Sequence, residues 1–258
     1  LLSKWKDYFV VLYGRVIDPE RYLDDVRDVG IRDGRIVTVM RDKLSGEQSV
    51  AAQGLIVAPG FIDCHSHGQN NLADRVHAFY GVTTVLELEA GILPVGRWYD
   101  IQASKRRVLN YGTASSWVFS RFVTLEGIPL SKEPRIQLLF FTAFGHSKWS
   151  NDVATPEQLD QIVNKVEQGL KEGGLGIGAV PGYAPGTGYK ELLAVQTLAA
   201  NYKVPTYWHV RSVGDADPLS AAQAYGEVIS FAAATDSHVH ICQTRYTQVP
   251  IQERELAD

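Results

Sequence analysis

Two histidines one residue apart, His65 and His67, close the run Pro59-Gly60-Phe61-Ile62-Asp63-Cys64-His65-Ser66-His67. On an extended strand, side chains alternate between faces, so residues i and i+2 point the same way. Two neutral imidazoles on one face are a ready donor pair for zinc and related divalent ions. A His-x-His triplet also arises by chance. Here it ends an apolar stretch interrupted by Pro59-Gly60 and preceded by a β-rich segment, and that context points to a metal-binding strand end. At the C-terminal end of a barrel strand such a face lines the barrel mouth, where active sites form.

The elements that must position this pair fall into two textures. Residues 1–55 read as short strands (Phe9 to Tyr13, Gly14 to Ile17, Asp28 to Ile31, Arg35 to Val39) with Asp33-Gly34 as a hairpin turn. They predict a small N-terminal β-sandwich unit. From 56 to 258 apolar runs alternate with helical patterns, the signature of β/α units and a parallel sheet. Six strands are expected: Leu55 to Asp63, Val82 to Leu88, Ile136 to Phe141, Leu175 to Val180, Val204 to Val210 and His238 to Cys242. Thr113 to Glu126 is ambiguous. The clearest helix start is Thr155, with Pro156 at the first helical position and Gln158 completing a capping box. The fold class is α/β, a TIM-type (β/α) barrel with about six of its eight units. An open doubly wound sheet is the alternative.

These segments resemble the amidohydrolase superfamily of metal-dependent hydrolases. The likeness rests on the His65-Ser66-His67 segment, on Asp33-Gly34-Arg35-Ile36 and on Gly54 to Gly60. Patches at Gly81 to Val85, Gly145-His146, Gly174 to Gly186 and Tyr207 to Arg211 look most like the D-aminoacylase branch, the N-acyl-D-amino-acid deacylases. The resemblance implies one or two divalent ions, zinc first, and a small-molecule amide, an N-acyl-D-amino acid or similar, cleaved at a non-peptide C–N bond by metal-activated water. A cyclic-amide hydrolase like dihydroorotase or hydantoinase is the runner-up. The resemblance makes His209 the next metal ligand; the alternative is an aromatic packed beside Trp208. Related enzymes bridge two metals with a carbamylated Lys, but the fourth expected strand has none. The D-aminoacylase branch uses a Cys at the end of strand two, where Ala90 stands here. Glu89 is the first choice for an anionic replacement and Glu87 the second, against ordinary exposed carboxylates. Arg211 shares a strand face with His209 and can hold a substrate carboxylate bidentately, or form a plain surface ion pair. His146 and Tyr183 are substrate-contact candidates; a mere loop histidine is the other reading of His146.

Two departures stand out. The sixth strand should end in a metal-binding His, but position 243 is Gln, a poor zinc ligand; His240 has the opposite parity and His238 lies further down the strand. The family's proton-shuttling Asp belongs to an eighth strand that this reading does not reach, so the catalytic residue is unknown. The motifs fade after Cys242, which raises a third expectation: a truncated or frameshifted fragment, metal-binding without turnover. Open sheet edges would favour a homo-oligomer. Composition excludes other classes. The chain has 258 residues, 45% hydrophobic, with a net charge of −4 and no basic run beyond Lys105-Arg106-Arg107, so neither nucleic acid nor an anionic membrane is an expected partner. No apolar run reaches the roughly 18 residues needed to span a bilayer. Two cysteines and no signal-peptide pattern lead to a cytoplasmic expectation.

Overall fold

The computed structural model describes residues 8–41, 43–212, 215–216 and 219–243. Contacts divide the chain into two compact units, Leu1–Phe61 and Ile62–Asp258. In the first, β1 (Phe9–Asp18), β2 (Leu23–Arg32) and β3 (Arg35–Met40) form an antiparallel meander, while β4 (Gln48–Ala51) and β5 (Ile56–Val57) run parallel to β1. Asp33 and Gly34 both have positive φ, 51° and 71°, the backbone of a tight hairpin turn. The described residues make one mixed sheet, where a sandwich was expected. The apolar run Leu55 to Asp63 is two strands rather than one: Ile56–Val57 joins this sheet, and Pro59-Gly60 separates it from the strand Phe61–Asp63.

The second unit alternates strands and helices. Its elements are β6 (Phe61–Asp63), α1 (Asn71–Phe79), β7 (Val82–Ile92), α2 (Val95–Ser104), β8 (Asn110–Ser116), α3 (Trp117–Glu126), α4 (Ile136–Ala143), α5 (Lys148–Asn151), α6 (Pro156–Lys171), β9 (Ile177–Ala179), α7 (Tyr189–Tyr202), β10 (Thr206–Trp208), a short hairpin of β11 (Asp215–Ala216) and β12 (Leu219–Ser220), α8 (Ala221–Thr235) and β13 (Val239–Ile241). The parallel sheet runs β13-β10-β9-β8-β7-β6, which is chain order without a reversal. A doubly wound sheet must reverse at its switch point, so this is six strands of a (β/α) barrel. The apolar core includes Trp117, Phe119 and Phe122 of α3, Ile162 and Val166 of α6, and Leu192 and Val195 of α7. Thr155 and Gln158 form the expected capping box.

The third barrel strand is Asn110–Ser116, and the run expected there, Ile136 to Phe141, is helical. A short apolar run does not by itself distinguish a buried strand from a helix. The true strand was concealed by small polar residues. Thr113, Ser115 and Ser116 are buried, and the hydroxyls of Thr113 and Ser115 donate to the carbonyls of Glu87 and Val166.

Two glycines let β7 deliver its carboxylates. The β7–β8 register shifts between Glu87 and Ile92, and Gly91 takes φ 64° there. Across the sheet, a Cβ on Gly178 of β9 would lie 2.5 Å from the Glu89 carbonyl oxygen. Gly178→Ala should therefore destabilise the chain by about 1–3 kcal/mol through overpacking. Gly226→Ala, in open space on α8, should stabilise it by up to ~1 kcal/mol. Thermal melts of the two variants check the contrast; equal shifts would deny the close approach at Gly178.

Candidate metal centre

The centre is assembled around one carboxylate. Glu89, 3% exposed on β7, is approached by three imidazoles. His65 Nε2 lies 2.9 Å and His67 Nε2 3.3 Å from its Oε2, and His209 Nδ1 lies 2.8 Å from its Oε1. The Nε2 atoms of His65 and His67 are 3.2 Å apart. Donor atoms of His65, His67 and Glu89 all lie within 4.8 Å of one another. Two imidazole nitrogens facing each other over a shared carboxylate oxygen cannot both keep a proton there without crowding. A divalent cation suits that donor set, because imidazole and carboxylate are both common zinc ligands. Glu87 plays a different part. It is fully buried, and its Oε2 accepts from His67 Nδ1 at 2.7 Å, fixing the ring from behind as carboxylates commonly do for metal-binding histidines.

The backbone between the histidines is pinned. Ser66 N donates to Leu86 O, tying the motif to β7, and Gln69 Nε2 donates to Ser66 O at 2.8 Å. Gln69 Oε1 accepts from Arg107, whose buried guanidinium also pairs bidentately with buried Asp74, donates to Gln102 and stacks over Tyr111. A buried cation with all three of its nitrogens hydrogen-bonded is rigid, so Asp74, Arg107 and Gln69 brace the motif. None of the three was singled out from sequence. Their signal is three-dimensional.

The electrostatics follow from burial. Hydrogen bonds to Glu87 and Glu89 raise His67 to about 10 despite its partial burial. Burial opposes ionisation of Glu89, but the hydrogen bonds from His209, His65 and His67 outweigh it and hold the carboxyl far below its usual range. Burial raises Glu87, with His67 pulling the other way. Burial, then the charges of Glu89 and Glu87, push the Cys242 thiol up to about 12, so it stays neutral beside the centre.

The other expected residues lie elsewhere or act differently. Both glutamates are buried rather than ordinary exposed carboxylates. Tyr183, in a single turn at Pro181–Tyr183 after β9, packs its ring against His209 with centroids 4.9 Å apart and planes tilted by 38°. Arg211 is committed to Glu227 at 2.9 Å and to the carbonyls of Pro185 and Thr187, so it ties a loop to α8. His146 follows helix α4, not a strand; it sits 3.4 Å from Glu126 with its ring against Phe122. Gln243 has a left-handed backbone, φ 60°.

The sequence pattern described as Amidohydrolase family matches residues 48–258. The chain belongs to the amidohydrolase family. That match also takes in the segment beyond Cys242, where the motif likeness was expected to end. This amidohydrolase is 39% identical over 84 residues to a dihydroorotase of Streptococcus pneumoniae, covering 28% of the chain and 20% of that protein. It is 31% identical over 78 residues to an allantoinase of Escherichia coli, 27% of the chain and 17% of that protein. In fold it is similar to the N-acyl-D-glutamate deacylase of Bordetella bronchiseptica, a structure with zinc and a phosphonate inhibitor: TM-score 0.72, 20% identity, 98% of this chain and 56% of the other. An L-hydantoinase of Arthrobacter aurescens aligns at TM-score 0.61 and 13% identity, over 92% of this chain and 52% of that one. The chain thus spans about half the length of these structures and a smaller share of the matched sequences.

Two outcomes are expected. Glu87→Gln should weaken zinc binding by about 10–100-fold, the usual effect of losing such an outer partner, and Glu89→Gln should weaken it more; calorimetric titration measures both, and equal, full affinity would remove the glutamates from the site. In the cation-free chain, protonation of His67 stabilises the fold fully below its ordinary 6.5, and that stabilisation is lost as pH rises through about 10. A cation that displaces this proton should bind more tightly with rising pH, with proton release visible as a buffer-dependent binding enthalpy; affinity independent of pH would contradict it.

Proposed function

We propose that this chain carries the metal-binding part of a hydrolase that cleaves the amide of an N-acyl-D-amino acid or a similar small amide. The observation that carries this reading is the sharing of Glu89, from the second barrel strand, by His65, His67 and His209. A bridging group from β7, with Ile177-Gly178-Ala179 offering no Lys on β9, departs from a carbamylated-lysine centre. The fold similarity leans the same way, with a TM-score of 0.72 for the deacylase against 0.61 for the hydantoinase.

His65, His67 and Glu89 would hold one divalent ion, zinc by donor type. When bound, such an ion lowers the pKa of water toward ~7 and polarises the scissile carbonyl. His209 holds the second oxygen of Glu89, which keeps the carboxylate oriented, and Glu87 sets the tautomer of His67 by accepting from Nδ1. With Gln243 in place of a further histidine, one tight ion rather than two is the expected stoichiometry. A D-aminoacylase of this fold has been described by its one-metal activation and second-metal attenuation. No described residue is assigned as the proton acceptor.

The cyclic-amide reading is favoured by one observation, the local identity to dihydroorotases and an allantoinase. The zinc-loaded chain, assayed on N-acetyl-D-amino acids beside dihydroorotate, allantoin and hydantoin, separates the two. Zinc-dependent release of D-amino acid is expected to be feeble, because no described residue is assigned to take the proton, and to be abolished by chelator. Ring opening alone would replace the acylase reading, and zinc bound with no turnover of any substrate would leave a metal-binding remnant.

A further inference from the structure

A cavity of about 300 Å³ opens beside the centre. Its polar lining is His67 and Glu89. The rest is aliphatic or aromatic: Ile136, Phe140, Phe141 and Phe144 on and just after α4, and Tyr183 with its phenol ring. This wall is anchored. Phe140 packs on core residue Phe119 at 5.1 Å, on Phe144 at 5.8 Å and on Tyr183 at 5.5 Å, and Tyr183 rests on His209. Ser150 Oγ donates to the Tyr183 carbonyl, which fixes the loop. A continuous aromatic path thus leads from the core to a residue that binds the central carboxylate.

No Lys or Arg is among the described residues lining the cavity. Arg211, expected from the sequence to meet a substrate carboxylate, lies beyond the end of β10 and is spent on Glu227 and two carbonyls. An anionic substituent laid on the aromatic wall would find no cation there, because the one basic lining residue, His67, is engaged with Glu87 and Glu89. Phe141 and Phe144 are 77% and 61% exposed, so hydrocarbon laid on them removes apolar surface from water on both sides.

We propose that this cavity selects a substrate whose acyl side is an uncharged hydrocarbon chain or aryl ring, and that Phe140, Phe141 and Phe144 set that preference. The proposal rests on the amide-hydrolase reading for the word substrate, but its test needs no turnover. Hydroxamic acids R–CO–NHOH, with R lengthening from methyl to hexyl, are titrated by calorimetry into the zinc-loaded chain beside a carboxylate-ended chain of matched length. Affinity should rise about fourfold for each methylene, the equivalent of ~0.8 kcal/mol, until the cavity is full, and the carboxylate-ended compound should gain nothing. Phe141→Arg, at an exposed position that the fold does not need, should flatten the ladder and favour the carboxylate-ended compound. Affinity flat in chain length, preference for the carboxylate in the unaltered chain, or no binding of any hydroxamate would overturn the proposal. A full ladder without hydrolysis of any amide would leave the cavity's preference standing and defeat the reaction assigned above.

Discussion

The charge on Glu89 is the constraint that the rest of the centre answers to. A carboxylate buried inside a barrel is costly unless it is paired and hydrogen-bonded. Here three imidazoles supply the pairing, and each is held by something else: His67 by Glu87, His209 by the Tyr183 ring, and His65 by its backbone N–H bond to Asp63. A divalent cation between His65 and His67 would compete with the proton for the same lone pairs, and the carboxylate that pairs with the imidazoles would then serve as a ligand.

Getting Glu89 to that point takes fold-level work. A strand with a regular register would carry β7 past β8 without the shift between Glu87 and Ile92. Gly91 absorbs the distortion with a positive φ, and Gly178 leaves room for the Glu89 backbone on the next strand but one. On the other side, the Asp74–Arg107–Gln69 brace holds the Ser66 carbonyl and with it the spacing of the two histidines. The same buried charge that makes the brace rigid makes it intolerant: truncating Arg107 alone would leave Asp74 buried and unpaired.

Much of this was legible in the sequence, for identifiable reasons. His65 and His67 were readable as a pair because their spacing and the apolar run before them are local properties. The strand itself ends at Asp63 and the pair follows it, with His65 in an isolated bridge to Glu87. The preference for Glu89 over Glu87 came from its nearness to the strand end, and the distinct part of Glu87, behind the ring of His67, needed three dimensions. The number of barrel strands was readable and one identity was not: Ile136 to Phe141 is apolar enough for either element, while Asn110–Ser116 is a strand made of small, hydroxyl-bearing residues whose polarity is satisfied only by neighbours far away in the chain. That exchange also moved His146 away from a strand end and Phe140 and Phe144 to the side of the cavity. Arg211 could not be judged from parity, because its competing acceptors, Glu227 and the carbonyls of Pro185 and Thr187, come together only in the folded chain.

The central claim is that Glu89 and the two motif histidines share one cation. X-ray absorption at the zinc edge of the chain loaded with one equivalent of zinc tests it most directly. The predicted spectrum shows two imidazole nitrogens at ~2.0–2.1 Å and carboxylate oxygen at ~2.0–2.2 Å, with no sulfur at ~2.3 Å, and it loses the imidazole signature when His65 and His67 are replaced together. A sulfur-containing shell, or a spectrum unchanged by that replacement, would place the ion elsewhere and contradict the account.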